Sequence, residues 1–182
     1  MAENKPSTEV QAKGHVRSFP APGLRQIFRH ITGHHDRGQS VFLSSDQGDH
    51  HRIMGEEQAV TNILYELNDD VDIEKAHAKE PPLHCRTDSI VRMVDFGPGV
   101  ESPLHRAVSI DNGIVIEGVF ELILDLGEKR IMRQADNITG NNTLPGRMMW
   151  ILLDVHDVVA NGQKREGFLG ELAKEYEVQG VS

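Results

Sequence analysis

Short apolar runs separated by glycine, proline and asparagine recur along most of the chain. Residues 24–43 contain two such runs on either side of a polar segment with Gly33 and Gly38, which predicts two strands joined by a loop. From residue 89 onward the runs become more frequent, and no helical pattern alternates with them. Strands are predicted at 61–67, 89–96, 113–124 with a break at Gly118, 130–133 and 147–155. Many short strands without intervening helices indicate an antiparallel sandwich or a small barrel.

The remaining segments are predicted to lie outside the strands. Residues 1–14 are polar and almost without aliphatic side chains, which predicts a flexible N-terminal arm. Polar residues also dominate 44–57, and 68–82 has the composition of a surface loop. Four apolar side chains in 166–176 fall at helical spacing and predict a short C-terminal helix: Phe168, Leu169, Leu172 and Tyr176. Residues 15–182 are therefore expected to form a single domain, with the barrel mainly in 89–160.

The composition and net charge exclude several kinds of protein and of binding partner. The 182 residues suit one ordinary domain. The net charge of −9 has the wrong sign for a phosphate-binding surface, so nucleic acid is not expected as a partner. Cys85 is the only cysteine, which excludes an intrachain disulfide and a thiolate metal cluster. No segment approaches the roughly 20 apolar residues of a membrane span, and residues 1–15 lack a signal-peptide core. A cytoplasmic location without membrane contact is expected.

The most informative stretch is PGVESPLHRAVSIDNGIVIEG, at residues 98–118. It resembles the first motif of the cupin superfamily, in which a glycine is followed by His-x-His, a glutamate and a second glycine. Gly99, His105, Asp111 and Gly118 match four of these five positions, and Ala107 replaces the second histidine. The stretch is more similar still to small fungal-type cupins with the pattern PGxxSPxHRTxSxDYGxVxEG. The resemblance implies an all-β cupin double-stranded β-helix, a jelly-roll barrel.

The second motif of such proteins, GDxxxQRGTxHxW followed by Asn, is shortened here. The corresponding region reads RQADNITGNNTLPGRMMW, in which Asp136 matches the start and the histidine is missing. Residues 137–146 are therefore expected to close the barrel as a bare Gly/Asn turn. Since His105 is the only histidine of the motifs that is retained, the resemblance implies no cofactor and no tightly bound metal, and leaves a weak divalent metal open.

Three polar residues are candidate catalytic groups. His105 is a candidate acid or base, although a lone histidine is more often a surface or hydrogen-bonded residue. Ser109 would share its face two residues beyond Ala107, either in a pocket or as a buried hydroxyl bonded to backbone. Asp111 is either a general acid or base whose pKa burial raises, or a turn residue with Asn112 and Gly113. The turn interpretation is favoured.

Two further residues are candidates for binding substrate. Arg106 would hold a carboxylate or phenolate, unless it forms a salt bridge with Asp95 or Glu117. Trp150 is a second candidate, and its alternative role is core packing at the end of a strand. The paired histidines at 34–35 and 50–51 are interpreted as solvated loop residues, because adjacent residues on an extended strand point to opposite faces and cannot chelate one ion.

The resemblance also carries a functional hypothesis. Close relatives of these small cupins are tailoring proteins of polyketide-type secondary metabolism. The resemblance implies a small lyase or isomerase that acts on an aromatic or polyketide-type intermediate by dehydration, decarboxylation, isomerisation or cyclisation. The implied partners are a small-molecule substrate and a second copy of the chain in a homodimer. Two alternatives stay open: a metal-dependent cupin oxygenase, and a non-enzymatic or inactive binding module.

Overall fold

The computed structural model describes residues 14–67, 89–102, 109–124, 126–136, 141–142, 146–154, 159–160 and 163–164. These residues form strands and turns and contain no helix, and none of them belongs to a helix that could cross a membrane. The strands, in chain order, are β1 (Arg29–His34), β2 (Ser40–Asp46), β3 (His50–Met54), β4 (Ala59–Leu67), β5 (Ser89–Phe96), β6 (Ser109–Glu117), β7 (Phe120–Ile123), β8 (Lys129–Met132), β9 (Asn141–Asn142), β10 (Gly146–Asp154), β11 (Val159–Ala160) and β12 (Gln163–Lys164).

The main sheet has five antiparallel strands in the order β3-β4-β5-β10-β6. β10 lies between β5 and β6, so the last long strand of the sheet joins two strands that precede it in sequence. Side chains alternate between the two faces of each strand. On β10, Met148, Trp150 and Leu152 are buried on one face, which we call the interior face.

A three-stranded sheet, β8-β7-β9, supplies the other half of the core. Phe120 and Met132 from this sheet pack with the buried apolar side chains of the interior face, and Phe96 meets Phe120 edge to face with ring centroids 5.6 Å apart. The backbone of Val115 on β6 exchanges two hydrogen bonds of 2.9 Å with the turn after β8, at Ala135 and Asp136. These bonds hold the second sheet against the edge of the first.

The N-terminal segment covers the opposite, outer face of the main sheet. Its apolar side chains form a second core with side chains of β4 and β5: Val16, Phe19, Ala21, Ile27, Val60 and Met93. Beneath it lies a buried ion pair, in which Arg147 donates to both carboxylate oxygens of Asp95 over 2.5 and 2.7 Å. The pair also binds the segment, because the backbone N–H of Ala21 donates to Asp95 over 2.8 Å.

The structure confirms most of the predicted strands and changes three local predictions. Residues 44–57 are not simply a polar loop, because β3 pairs with β4 from His50 to Met54. His50 and His51 are therefore strand residues, and His34 is the last residue of β1. His35 lies in the loop that was expected for it, and both His34 and His35 are exposed. Residues 137–146 are not a bare turn, because Asn141 and Asn142 form β9 against β7.

The third correction concerns residues 111–113. Asp111, Asn112 and Gly113 lie within β6, paired with Leu152, Ile151 and Trp150, so the turn interpretation of Asp111 was wrong. The predicted C-terminal helix and nearly all of the predicted N-terminal arm lie outside the described residues.

Candidate functional site

One end of the interior face is polar and less buried than the rest. Along β6 the interior positions are Ser109, Asp111, Gly113 and Val115; the first two are half-buried and the last two are buried. Val115 packs into the apolar core with Phe120. The interior face of β6 therefore changes from apolar at Val115 to polar at Ser109.

Ser109 and Asp111 form a bonded pair at this polar end. The Ser109 hydroxyl donates to Asp111 Oδ1 over 2.5 Å. The two residues are brought together because positions two apart on a strand share a face. Ser109 and Asp111 therefore lie on the same face of β6, and the catalytic roles predicted for them stay predictions. The carboxylate of Asp111 is thus oriented by the hydroxyl of Ser109.

Trp150 lies beside this pair, in the middle of β10 rather than at its end. It is 9% exposed and belongs to the apolar core, which agrees with the packing role considered for it. It lies opposite Gly113, and a Cβ at Gly113 would stand 2.8 Å from Cζ3 of the indole. Gly113 is thus required because the ring lies against its backbone, and not because of a turn.

Arg92 on β5 is a charged residue on the interior face that the sequence analysis did not single out. It lies opposite Trp150 on one side and Ile63 on the other, so it projects from the interior face, and its Nε is buried. A signal was present in the sequence: Ile90, Val94 and Phe96 occupy the other interior positions of the strand, and Arg92 interrupts them. A charge on a core-facing position is costly to bury, which makes it a candidate for function.

His105 and Arg106 lie outside the described residues. They precede Ser109 by four and three positions in the sequence, so they belong to the segment that leads into the polar end of β6. Asp95, one of the partners considered for Arg106, is bonded instead to Arg147. The roles predicted for His105 and Arg106 stay predictions.

The outer face carries its own ionisable residues, away from the interior. Arg147 stacks under the ring of Phe19, with Cζ 4.8 Å from the ring centroid, and Phe19 also contacts His51 at 5.3 Å. Partial burial lowers the pKa of His51, with Asp49 and Asp95 opposing and His50 adding to the effect. These contacts fasten the N-terminal segment and do not reach the Ser109–Asp111 pair, which lies on the other face.

The sequence is similar to fungal proteins over most of its length. It is 61% identical over 183 positions to cupin-domain-containing oxidoreductase srdD of Neurospora crassa, with 90% of this chain and 93% of the relative covered. The chain belongs to this family of cupin-domain proteins. A second member, phomopsin biosynthesis cluster protein D of Diaporthe leptostromiformis, is 33% identical, with coverage of 82% and 90%.

As a member of a cupin-domain family, the chain has a cupin fold, and its described part is built from strands. A cupin-2 domain protein from Rhodospirillum rubrum aligns with a TM-score of 0.40 and 10% identity, covering 92% of this chain and 88% of that one. No protein-family model matches the chain.

Compared with its relatives, this chain lacks residues in the middle of the aligned sequence. The alignment to the Neurospora relative has 183 positions, but 90% of 182 residues is only about 164, so about 19 positions of the alignment have no residue of this chain. This agrees with the shortened second motif, between Asp136 and Arg147. The loss is large enough to remove a strand together with its turn.

Cupins commonly hold a metal, and the described part of this chain does not fit one. No group of three or more His, Cys, Asp or Glu side chains among those residues could hold an ion. On the interior face, His50 on β3 is separated from Asp111 on β6 by three strands. A stable site for a transition metal needs about three protein ligands that converge. We therefore derive no chemistry through a metal.

Proposed function

We propose that this cupin is a small enzyme that acts on an aromatic or polyketide-type intermediate by moving a proton. The observation that carries the proposal is the Ser109–Asp111 pair at the polar end of the interior face. A carboxylate fixed by a hydroxyl and backed by apolar side chains is suited to general acid–base chemistry. The occurrence of relatives in fungal biosynthesis clusters supports an intermediate of secondary metabolism as the substrate.

The proposed reaction class is one that needs only proton transfer at the substrate. A base removes a proton from the carbon next to a carbonyl, and the pocket holds the resulting enolate. In an isomerisation the proton returns to another atom of the substrate; in a dehydration it leaves with hydroxide as water. His105 is proposed as the acid or base, and Asp111 and Ser109 orient His105 or the substrate. Trp150 and Arg106 are proposed as contacts to the substrate.

A metabolite profile of a deletion strain tests the reaction class. The compound that accumulates should be an isomer of the missing product, or differ from it by water or carbon dioxide. A difference of two hydrogens or of an oxygen atom would contradict the proposal.

Variants restored to the deletion strain test the residues. Asp111→Asn keeps an oxygen for the Ser109 hydroxyl but removes the negative charge that is proposed to orient His105 or the substrate, so it should not restore the product, and His105→Ala should also fail. Asn112→Ala, next along β6 and on the opposite face, is the matched control and should restore it. If Asp111→Asn restores the product as well as Asn112→Ala does, the pair is structural.

A second candidate is a metal-dependent oxidoreductase, which the name of the Neurospora relative favours. Elemental analysis of the purified chain after dialysis separates the two candidates. The proton-transfer proposal expects iron, manganese and zinc well below one per chain. A stoichiometric metal would favour the oxidoreductase. A third candidate, a non-enzymatic or inactive cupin, predicts an unchanged metabolite profile in the deletion strain.

A further inference from the structure

The main sheet ends at β6, and most of the outer edge of this strand is open. Within the described parts of the chain, no strand pairs with β6 on the side away from β10. Only Val115 has partners there: its N–H donates to the carbonyl oxygen of Asp136, and its C=O accepts from the N–H of Ala135, both over 2.9 Å. After Asp136 no described residue continues along this edge.

The unpaired backbone groups can be assigned because the pairing along β6 is regular. The register with β10 runs without a bulge from Ser109 to Val115. Alternate residues of an antiparallel strand direct their backbone N–H and C=O groups to the same side. Since those of Val115 point away from β10, those of Gly113, Asp111 and Ser109 do so as well. We call these three residues the open edge.

The open edge lies where the family alignment loses residues. The turn at Ala135 and Asp136 begins to pair with β6 at Val115. A chain that continued from there antiparallel to β6 would cover Gly113 and then Asp111. Instead, the shortened second motif follows Asp136, and about 19 positions of the alignment have no residue of this chain. Unpaired backbone groups along an edge are a template for pairing with another strand.

The surface beside the open edge is apolar. Residues 109–116 contain no lysine, arginine or proline, which are the residues that commonly protect an exposed edge. On the outer face of the sheet, Ile110 lies opposite Leu153, and the two are 54% and 38% exposed. The second core covers the outer face near Met149 and Ile116 and does not include this pair. The open edge therefore favours an occupant that supplies both a strand and an apolar surface.

A second copy of the chain supplies both. An antiparallel edge is complementary to itself across a two-fold axis. With the axis at Ile110, Ser109 of each copy lies opposite Asp111 of the other, and each such pair exchanges two backbone hydrogen bonds. On the outer face, Leu153 and Ile110 of one copy continue into Ile110 and Leu153 of the other as one apolar row. On the interior face, Asp111, the only charged residue in 109–116, lies opposite a hydroxyl.

Two other registers are less favourable. An axis at Asp111 would place two carboxylates directly opposite each other, which is destabilising. An axis at Asn112 would place Ser109 opposite Val115, whose backbone groups are already bonded to the turn.

We propose that two copies of this chain form a dimer by pairing β6 with β6 about a two-fold axis at Ile110. Four backbone hydrogen bonds correspond to roughly 400–800 Å² of interface, the size of a weak dimer that dissociates on dilution. Ser109 of the partner subunit then lies about 5 Å from Asp111, measured between Cβ atoms. Each candidate site thus gains a second hydroxyl. The proposal stands on the edge alone and does not depend on proton transfer.

Sedimentation of the full chain tests the surface. Between about 1 and 100 μM the chain should change from monomer to dimer. Ile110→Lys puts two ammonium groups opposite each other at the axis and should raise the dimer Kd about 100-fold or more. Ile53→Lys is the matched control, because Ile53 is 47% exposed on β3, the other edge strand of the sheet, and this variant should dimerise like the unmodified chain. Circular dichroism of both variants checks that they are folded.

Disulfide trapping tests the register. In a Cys85→Ser background, Ile110→Cys should give a disulfide-linked dimer on mild oxidation, because residues opposite each other at the axis have Cβ atoms about 4.5–5.5 Å apart. Asn112→Cys is the control: its two copies would be offset by four residues, about 14 Å along the strand, which is too far for a disulfide. The Cys85→Ser background alone should stay unlinked.

Four results would overturn the proposal. They are a chain that is monomeric at about 100 μM, a dimer that a folded Ile110→Lys variant leaves intact, a dimer that Ile53→Lys disrupts, and linkage of Asn112→Cys as readily as of Ile110→Cys. None of these measurements involves turnover, so loss of the dimer would leave the proposed proton transfer untouched.

Discussion

Replacing Arg147 by methionine should be among the most damaging single changes to this protein. Arg147 is 2% exposed and Asp95 is fully buried. The substitution removes the two hydrogen bonds to Asp95, at 2.5 and 2.7 Å, and a third to the carbonyl oxygen of Arg25 at 2.5 Å. Asp95 would then keep one charged oxygen bonded to the N–H of Ala21 and lose its only counter-ion among the described residues.

The expected loss of folding stability comes mainly from leaving the buried Asp95 carboxylate without its counter-ion, and less from the missing hydrogen bonds. Removing one partner of a buried ion pair costs about 3–5 kcal/mol, because the other charge stays desolvated. The stacking of Phe19 on the guanidinium adds to the loss. In a chain of this length each kcal/mol lowers the melting temperature by about 2–4 °C, so the variant should melt about 6–20 °C lower.

Urea denaturation with two controls measures this loss. Lys129→Met removes an exposed pair in which Lys129 Nζ lies 3.2 Å from Glu121, and should cost about 0–1 kcal/mol. The double variant Asp95→Leu with Arg147→Met removes both charges and should recover most of the stability lost in Arg147→Met. The reasoning is refuted if Arg147→Met costs no more than Lys129→Met, or if the double variant is less stable than Arg147→Met alone.

Two further predictions test other parts of the structure. Gly113→Ala puts a methyl group 2.8 Å from the Trp150 ring, so it should cost about 1–3 kcal/mol in urea denaturation and shift the emission of this sole tryptophan; an unchanged spectrum and stability would contradict the packing. At Asp46, burial raises the pKa but hydrogen bonds from Arg29, Ser44 and Gly48 outweigh it and lower the pKa to about 2. The ionised Asp46 therefore stabilises the fold above its unfolded pKa of about 4, and this contribution is lost as the pH falls toward 2. In urea denaturation, Asp46→Asn should be less stable than the unmodified chain at neutral pH. Between about pH 4 and pH 2 it should lose less stability than the unmodified chain does, and equal losses would contradict the assignment.

The pattern of apolar runs predicted strands well where the strand is buried in a core. β5 contributes side chains to both cores and β10 alternates between buried and less buried positions, and both strands were predicted close to their observed ends. β3 was missed because it is an edge strand whose sequence, HHRIM, is polar on both faces near its start. Its pairing comes from β4, which lies next to it in the chain, and no pattern within the five residues themselves shows it.

The part of the candidate site that depends on spacing along one strand could be predicted from the sequence. Ser109 and Asp111 share a face because they are two apart on a strand, and the sequence shows that directly. Asn112 and Gly113 have the composition of a turn, and only the packing of Trp150, a residue 37 positions away in the chain, explains why a glycine sits in mid-strand. Arg92 interrupts the apolar interior positions of β5, which the sequence shows, but its place opposite Trp150 follows only from the long-range pairing of β5 with β10.

The fold persists despite the shortened second motif because backbone hydrogen bonds outside the shortened part hold the second sheet in place. Asn141 and Asn142 still supply a third strand beside Phe120 and Glu121. The turn at Ala135 and Asp136 is bonded to Val115, so the second sheet stays attached to β6 even though about 19 positions of the family alignment are absent. The apolar half of the interior lies at that attachment, around Val115, Phe120 and Met132. The polar half lies at the far end of β6, which pairs with β10 from Ser109 to Glu117. The chain therefore keeps its apolar core and an interior face that carries Ser109 and Asp111, although its second motif is short.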